Sequence, residues 1–248
     1  MGRQPDLVNH MKDVVDKFLP QEKPKSIVVL SAHWESDPIK ISSAAKPTMY
    51  YDYQGFPPET YQYQYPAPGS PDLARKIQNL LKASGLESEL DAKRGFDHGV
   101  FVPLMLMYPE ADIPVVSVSL HSSLAADVNL EIGKALEPLR DEGILILGSG
   151  YTFHNMQAFF HPSSATYKAS AEFNEWLKET MTSGGDVTAK LQEWDKAPGA
   201  RIAHPREEHL IPLLMTAAAG GGSSATPQII YDVRAKEGDH AISGYLFQ

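Results

Sequence analysis

The 248-residue chain contains no cysteine, which excludes disulfides, thiolate metal ligands and a cysteine nucleophile. Positive charge is also scarce: 22 Lys and Arg stand against 31 Asp and Glu, for a net charge of −9. A nucleic-acid surface needs clustered cations, so no such partner is expected. No stretch approaches the ~20 apolar residues of a membrane-spanning helix. The opening Met1-Gly2-Arg3-Gln4-Pro5-Asp6 lacks the apolar segment of a secretory signal. A cytoplasmic protein without membrane partners is the expectation.

What the sequence does contain is enough apolar material, 42%, to bury a full core, expected as one domain over residues 1–248. Leu7, Val8, Met11, Val14, Val15, Phe18 and Leu19 form a helical stripe. Ser26 to Leu30 reads as a buried strand. Residues 43–69 form a loop rich in tyrosine and proline, and so long a loop within a compact domain is usually functional. Ser70-Pro71-Asp72 opens a helix running to about Ala83, with serine as the cap and proline in the first position. Further strands are expected at 113–120, 144–147, 228–233 and 241–247, and helices at 127–140, 169–180 and 210–219. This alternation predicts an α/β domain with a mixed central sheet flanked by helices, and ligands gather at strand ends in such sheets.

The histidines carry the chemical signal. Four motifs hold them: Ser31-Ala32-His33-Trp34, Gly95-Phe96-Asp97-His98-Gly99, Gly148 to Asn155 with His154, and His204-Pro205-Arg206-Glu207-Glu208-His209. Imidazole binds divalent metals as the neutral base and moves protons near neutral pH, so this set suggests a metal-centred enzyme. A lone His33 would more often be a core residue satisfied by a carbonyl, and a lone His98 a turn histidine. The small residues before His154 would let a ligand approach the backbone. His204 and His209 are five apart and do not share a helix face, so one is expected as a ligand and the other against substrate. Asp97 is placed to orient a neighbour. Glu207 and Glu208 read as helix-start acids, His10 and His240 as solvated, and His161 as a loop residue. The tyrosines of the 50–65 loop either pack that loop or form a lid suited to an aromatic substrate.

Taken with Tyr65-Pro66-Ala67-Pro68-Gly69-Ser70-Pro71, Tyr108 to Pro114 and Leu210-Ile211-Pro212-Leu213, these motifs lie in order across nearly the whole chain. In them the sequence resembles the class III extradiol ring-cleavage dioxygenases, in the branch of 4,5-DOPA dioxygenases. The resemblance implies that His33 and His209 ligate a divalent metal, and that His154 acts beside it as an acid/base or a further ligand. It makes His98 the other histidine that handles protons or contacts substrate. Fe(II) is the implied catalytic metal, with Zn(II) able to occupy the site, and a DOPA-like catechol and O₂ are the implied substrates. The family also places a strand ending in His-Gly-Ser/Thr-Pro, with another ligand histidine, before the first helix. This sequence opens on the helix itself, and His10 is not expected to take over that role. On this reading the first strand is lacking, with weaker metal binding and little ring cleavage expected. Two alternatives stand beside the enzyme: a catalytically impaired metal- or catechol-binding homologue, and a zinc hydrolase using a metal-bound hydroxide.

Overall fold

The computed structural model describes residues 5–222, 227–236 and 238–248. Among them the α-helices and strands follow in the order α1 (Pro5–Phe18), β1 (Ser26–Ser36), β2 (Ile39–Ser42), α2 (Pro71–Ala83), β3 (Ser88–Asp91), α3 (His98–Met107), β4 (Val115–His121), α4 (Ala126–Leu136), β5 (Ile144–Ser149), α5 (Met156–Phe160), α6 (Ser164–Thr182), α7 (Val187–Gln192), α8 (Ala200–Ala203), α9 (Ile211–Ala219), β6 (Gln228–Val233) and β7 (Ile242–Leu246). The chain divides into two compact units, one of residues 1–123 with 138–149 and the other of 124–137 with 150–248. No helix among the described residues is long and apolar enough to cross a membrane.

The first unit is built on a sheet of strand order β3-β2-β4-β1-β5. β1 lies parallel to both β4 and β5, β3 lies parallel to β2, and β2 meets β4 antiparallel through Ile41 and Val118. The sheet is therefore mixed, as expected. A strand covered on both faces needs apolar residues at successive positions rather than alternating ones. Ile27 to Leu30 meet that demand and are fully inaccessible. Helix α3 packs on β1 and α1, and α2 packs on β2 and β3. The expected Ser70 cap is present, its side chain accepting from the Leu73 N–H at 3.3 Å.

Strand β1 continues past its apolar run to Ser36, with a break in its register against β4 between Leu30 and Glu35. Irregularities of this kind re-aim side chains, and His33 lies inside this one rather than at a strand terminus.

In the second unit α4 packs on α9, and α6 packs on α7, α8 and the antiparallel pair β6–β7. The two terminal strands fall where the sequence places them but form their own ribbon instead of joining the mixed sheet. His161 is exposed, as expected. His240 is not solvated: it is 6% exposed and stacks on Phe153 at 4.2 Å between ring centroids.

Two leucines of the first unit should separate the core of the sheet from its edge. Leu30 is inaccessible in β1, an interior strand, and Leu90 is 37% exposed on the edge strand β3. Leu30→Ala is expected to cost about 2–5 kcal/mol and Leu90→Ala about 0.5 kcal/mol or less, read by urea denaturation.

Candidate metal and catalytic centre

Among the described residues, each unit assembles one group of metal-capable side chains. In the first, His33 enters from the register break in β1 and His98 from the first turn of α3. Their ring centroids lie 3.9 Å apart. Asp52, from the long 43–69 loop, joins them. Its Oδ1 accepts from the His98 ring Nδ1 at 2.8 Å and from the His98 backbone N–H at 3.0 Å, while Oδ2 lies 3.4 Å from His33 Nδ1. Burial pushes the Asp52 carboxyl up, but the hydrogen bonds from His98 and the charges of both histidines outweigh it and hold the group below the usual carboxylate range.

A buried network fixes the backbone beneath these rings. Asp97 accepts from the Ser31 hydroxyl at 2.7 Å and from the Arg94 guanidinium at 2.8 Å. Ser31 Oγ in turn accepts the His33 N–H at 3.2 Å, and Arg94 donates to the His33 carbonyl at 3.1 Å. Arg94 is held between the rings of Trp34 and Tyr50, 5.0 and 4.5 Å from their centroids. Gly99 keeps α3 close to this network, since a Cβ there would overlap Ser31 Oγ and crowd the His33 ring. The tyrosine-rich loop packs largely on itself and on Phe101, and Tyr53 also stands edge-on to His98 at 5.6 Å.

In the second unit the segment after β5 is sewn to the 203–209 turn. Tyr151 N–H donates to the His209 carbonyl at 3.1 Å and His154 N–H to the Ala203 carbonyl at 3.0 Å. A Cβ at Gly150 would collide with that His209 carbonyl. The small residues before His154 thus admit the protein's own backbone at Gly150. The His154 and His209 rings stack at 3.5 Å and 15°, and His154 Nδ1 lies 3.1 Å from Glu208 Oε1. Burial raises the Glu208 carboxyl, but hydrogen bonding to His154 and nearby positive charge hold it below its ordinary value.

Within each group, His33–Asp52–His98 and His154–Glu208–His209, the donor atoms lie within 4.8 Å of one another. Each group joins two imidazoles, which bind divalent metals as the neutral base, to a carboxylate able either to ligate or to orient a ligand histidine, so the residues present fit a divalent metal by their chemistry.

A family model described as the catalytic LigB subunit of aromatic ring-opening dioxygenase matches residues 4–247. The chain belongs to this family. A Beta vulgaris protein named 4,5-DOPA dioxygenase extradiol is 45% identical over 82% of this chain and 76% of its own. Proteins of the same name from Portulaca grandiflora and Escherichia coli K12 are 40% and 38% identical, over 90% and 81% of this chain and 81% and 74% of theirs. The crystal structure of an uncharacterized Escherichia coli K12 protein superposes with a TM-score of 0.78 at 32% identity, covering 96% of this chain and 91% of that one. The enzyme is an extradiol ring-opening dioxygenase.

Of the histidines singled out in this dioxygenase, His33 and His98 come together in one unit and His154 and His209 in the other. His204 is neither beside His209 in that donor group nor open to a substrate. It is inaccessible, ringed by Phe173 and Trp194, and its Nε2 donates to the Thr152 carbonyl at 3.1 Å. Asp52 and Glu208 are the functional candidates that sequence reasoning passed over. Asp52 was hidden among tyrosines in a loop with no periodicity. Glu208 looked like a helix-start acid, yet α9 begins only at Ile211. The one available signal was an acid directly preceding a candidate ligand histidine.

Burial pushes the His204 imidazole down to about 4. Its folded-state value lies below its unfolded one, so the unfolded chain binds the proton first. Stability should therefore fall by roughly 3 kcal/mol as pH drops from about 6.5 to about 4 and show no further loss from this group below that. The depressed carboxyls of Asp52 and Glu208 act lower, their stabilisation being lost as pH falls below about 4. His204→Gln keeps a donor for Thr152 but cannot titrate. Urea denaturation across this range should show a smaller pH slope for the variant, and equal slopes would refute the assignment.

Proposed function

We propose that the dioxygenase cleaves the ring of a DOPA-like catechol, inserting both atoms of O₂ to give a muconic semialdehyde. The single observation that carries this reading is the pair of two-imidazole, one-carboxylate groups in a chain of the ring-opening family. The relatives named for 4,5-DOPA supply the substrate class. The whole of residues 1–248 is proposed as one catalytic domain, as the extent of the family match supports. A cytoplasmic setting, reducing enough to keep iron ferrous, suits it.

His33 and His209 are the residues proposed to hold the metal, with His154 as a further ligand or as an acid/base beside it; Fe(II) serves turnover and Zn(II) is able to take its place. Bound Fe(II) would supply the redox couple and open positions that ring opening by O₂ requires, which Zn(II), having no accessible couple, would not. The chain's own work is proton handling and orientation. His98 and His154 are proposed to accept the proton of a catechol hydroxyl and to return a proton as the ring opens. Their Nδ1 atoms face Asp52 and Glu208, which leaves Nε2 of His98 for this exchange and Nε2 of His154 for it or for the metal. General acid–base help of this type contributes about 10²–10⁴-fold. The exposed aromatic side chains of the 50–63 loop, Tyr50, Phe56 and Tyr63, suit an aromatic substrate.

The test is catechol-dependent oxygen uptake by protein reloaded anaerobically with Fe(II). Protein that takes up no oxygen with any catechol, while metal analysis shows it loaded, would favour an impaired binding homologue. Two variant sets follow. His33→Ala and His209→Ala should each sharply lower metal content in elemental analysis. His98→Ala should keep its metal and lose about 10²-fold or more in kcat.

A further inference from the structure

Asp52 touches both histidines of its unit, and its three contacts do different things. The bond from the His98 backbone N–H satisfies one of the donors that every helix leaves open at its start. Asp97, the residue at the cap position, makes no such bond because its carboxylate is committed to Ser31 and Arg94. The other two contacts are to ring nitrogens, and both are to Nδ1.

An ionised carboxylate only accepts hydrogen bonds. A neutral imidazole hydrogen-bonded to it through Nδ1, as His98 is at 2.8 Å, carries its proton there, and its lone pair is then on Nε2. We propose that Asp52 is a positioning residue and not a metal ligand: its hydrogen bond sets the tautomer of His98, and its charge, 3.4 Å from His33 Nδ1, favours the same tautomer there, so that both Nε2 lone pairs lie away from it. On His33 that lone pair is the ligating atom, and on His98 it is the base. The side chain is 10% exposed and accepts from His98 twice, so it is held while it holds the rings. Carboxylates behind ligand histidines orient the ring and raise its basicity. This proposal rests on the roles given above to His33 and His98.

Asp52→Asn is the discriminating change. It keeps the shape and one acceptor oxygen but replaces the other with an NH₂ donor, which cannot serve both rings. At saturating Fe(II) or Zn(II) the variant should bind metal in wild-type stoichiometry, with affinity lower by about 10–100-fold. Its kcat should fall by about 10²-fold or more, with KM changed far less. Loss of metal at saturation would make Asp52 a ligand and overturn the proposal. Unchanged kcat with lowered thermal stability would reduce it to a helix cap and overturn it equally.

A readout independent of turnover comes from long-range ¹H–¹⁵N correlation spectra of the histidine rings in metal-free wild-type protein at about pH 8, above the ordinary histidine range. His98 should show a protonated Nδ1 and a bare Nε2. The opposite tautomer would refute the proposal even if Asp52→Asn did not fold. If wild-type protein opened no catechol yet showed the expected tautomer, the functional reading would fail while the assignment of Asp52 stood.

Discussion

A buried carboxylate holds the first unit's functional end together. Asp97 is 1% exposed on its side chain and is compensated by Arg94 and Ser31. Taking a carboxylate out of water is costly unless charge and hydrogen bonds replace its hydration, and here both do. The partners are not arbitrary. Ser31 receives the N–H of His33 and Arg94 donates to its carbonyl, so the same ion pair grips His33 on both sides along the chain. The following residue, His98, begins α3. Removing this one charge would leave Arg94 buried without its counter-ion and release two elements at once, an imbalance that typically costs about 3–5 kcal/mol.

Beyond this pair, the two donor groups reach the same composition by different local means. One takes its carboxylate from a loop 46 residues away from its helix-borne histidine; the other takes it from the residue beside His209. In both, burial opposes the charged form and hydrogen bonding to a histidine restores it. The parallel lies in chemistry rather than scaffold. A carboxylate against Nδ1 is a general way to leave the far nitrogen of an imidazole open.

How much of this was legible in the sequence follows from the range of each signal. The strand Ser26–Leu30, the Ser70-capped helix and the terminal strands are written in local periodicity and capping chemistry, and they stand where expected. The paired strands β2 and β3 are four residues each, too short to establish a pattern. The small helices α5, α7 and α8 escaped for the same reason. His33, His98, His154 and His209 stood out because each sits in an unusual motif. Their partners Asp52 and Glu208 did not, since pairing across a loop or around a turn has no periodicity. His204 and His240 were misjudged because burial depends on what packs over a residue: Phe173 and Trp194 on the first, Phe153 and Tyr167 on the second.

The placement of α4 has a bearing on how the chain is made. This helix lies in sequence between β4 and β5, whose sheet it does not join, and its unit is completed only by residues from 150 onward. Its inaccessible side chains Ile132 and Leu136 pack in the unit where α4 meets α9, and α9 is synthesised after all of β5. A ribosome therefore delivers every strand of the five-stranded sheet while the apolar face of α4 still lacks its partner. Exposed apolar surface on a nascent chain invites aggregation and chaperone binding. Until residues 211–219 have been made, this enzyme carries that face uncovered by α9.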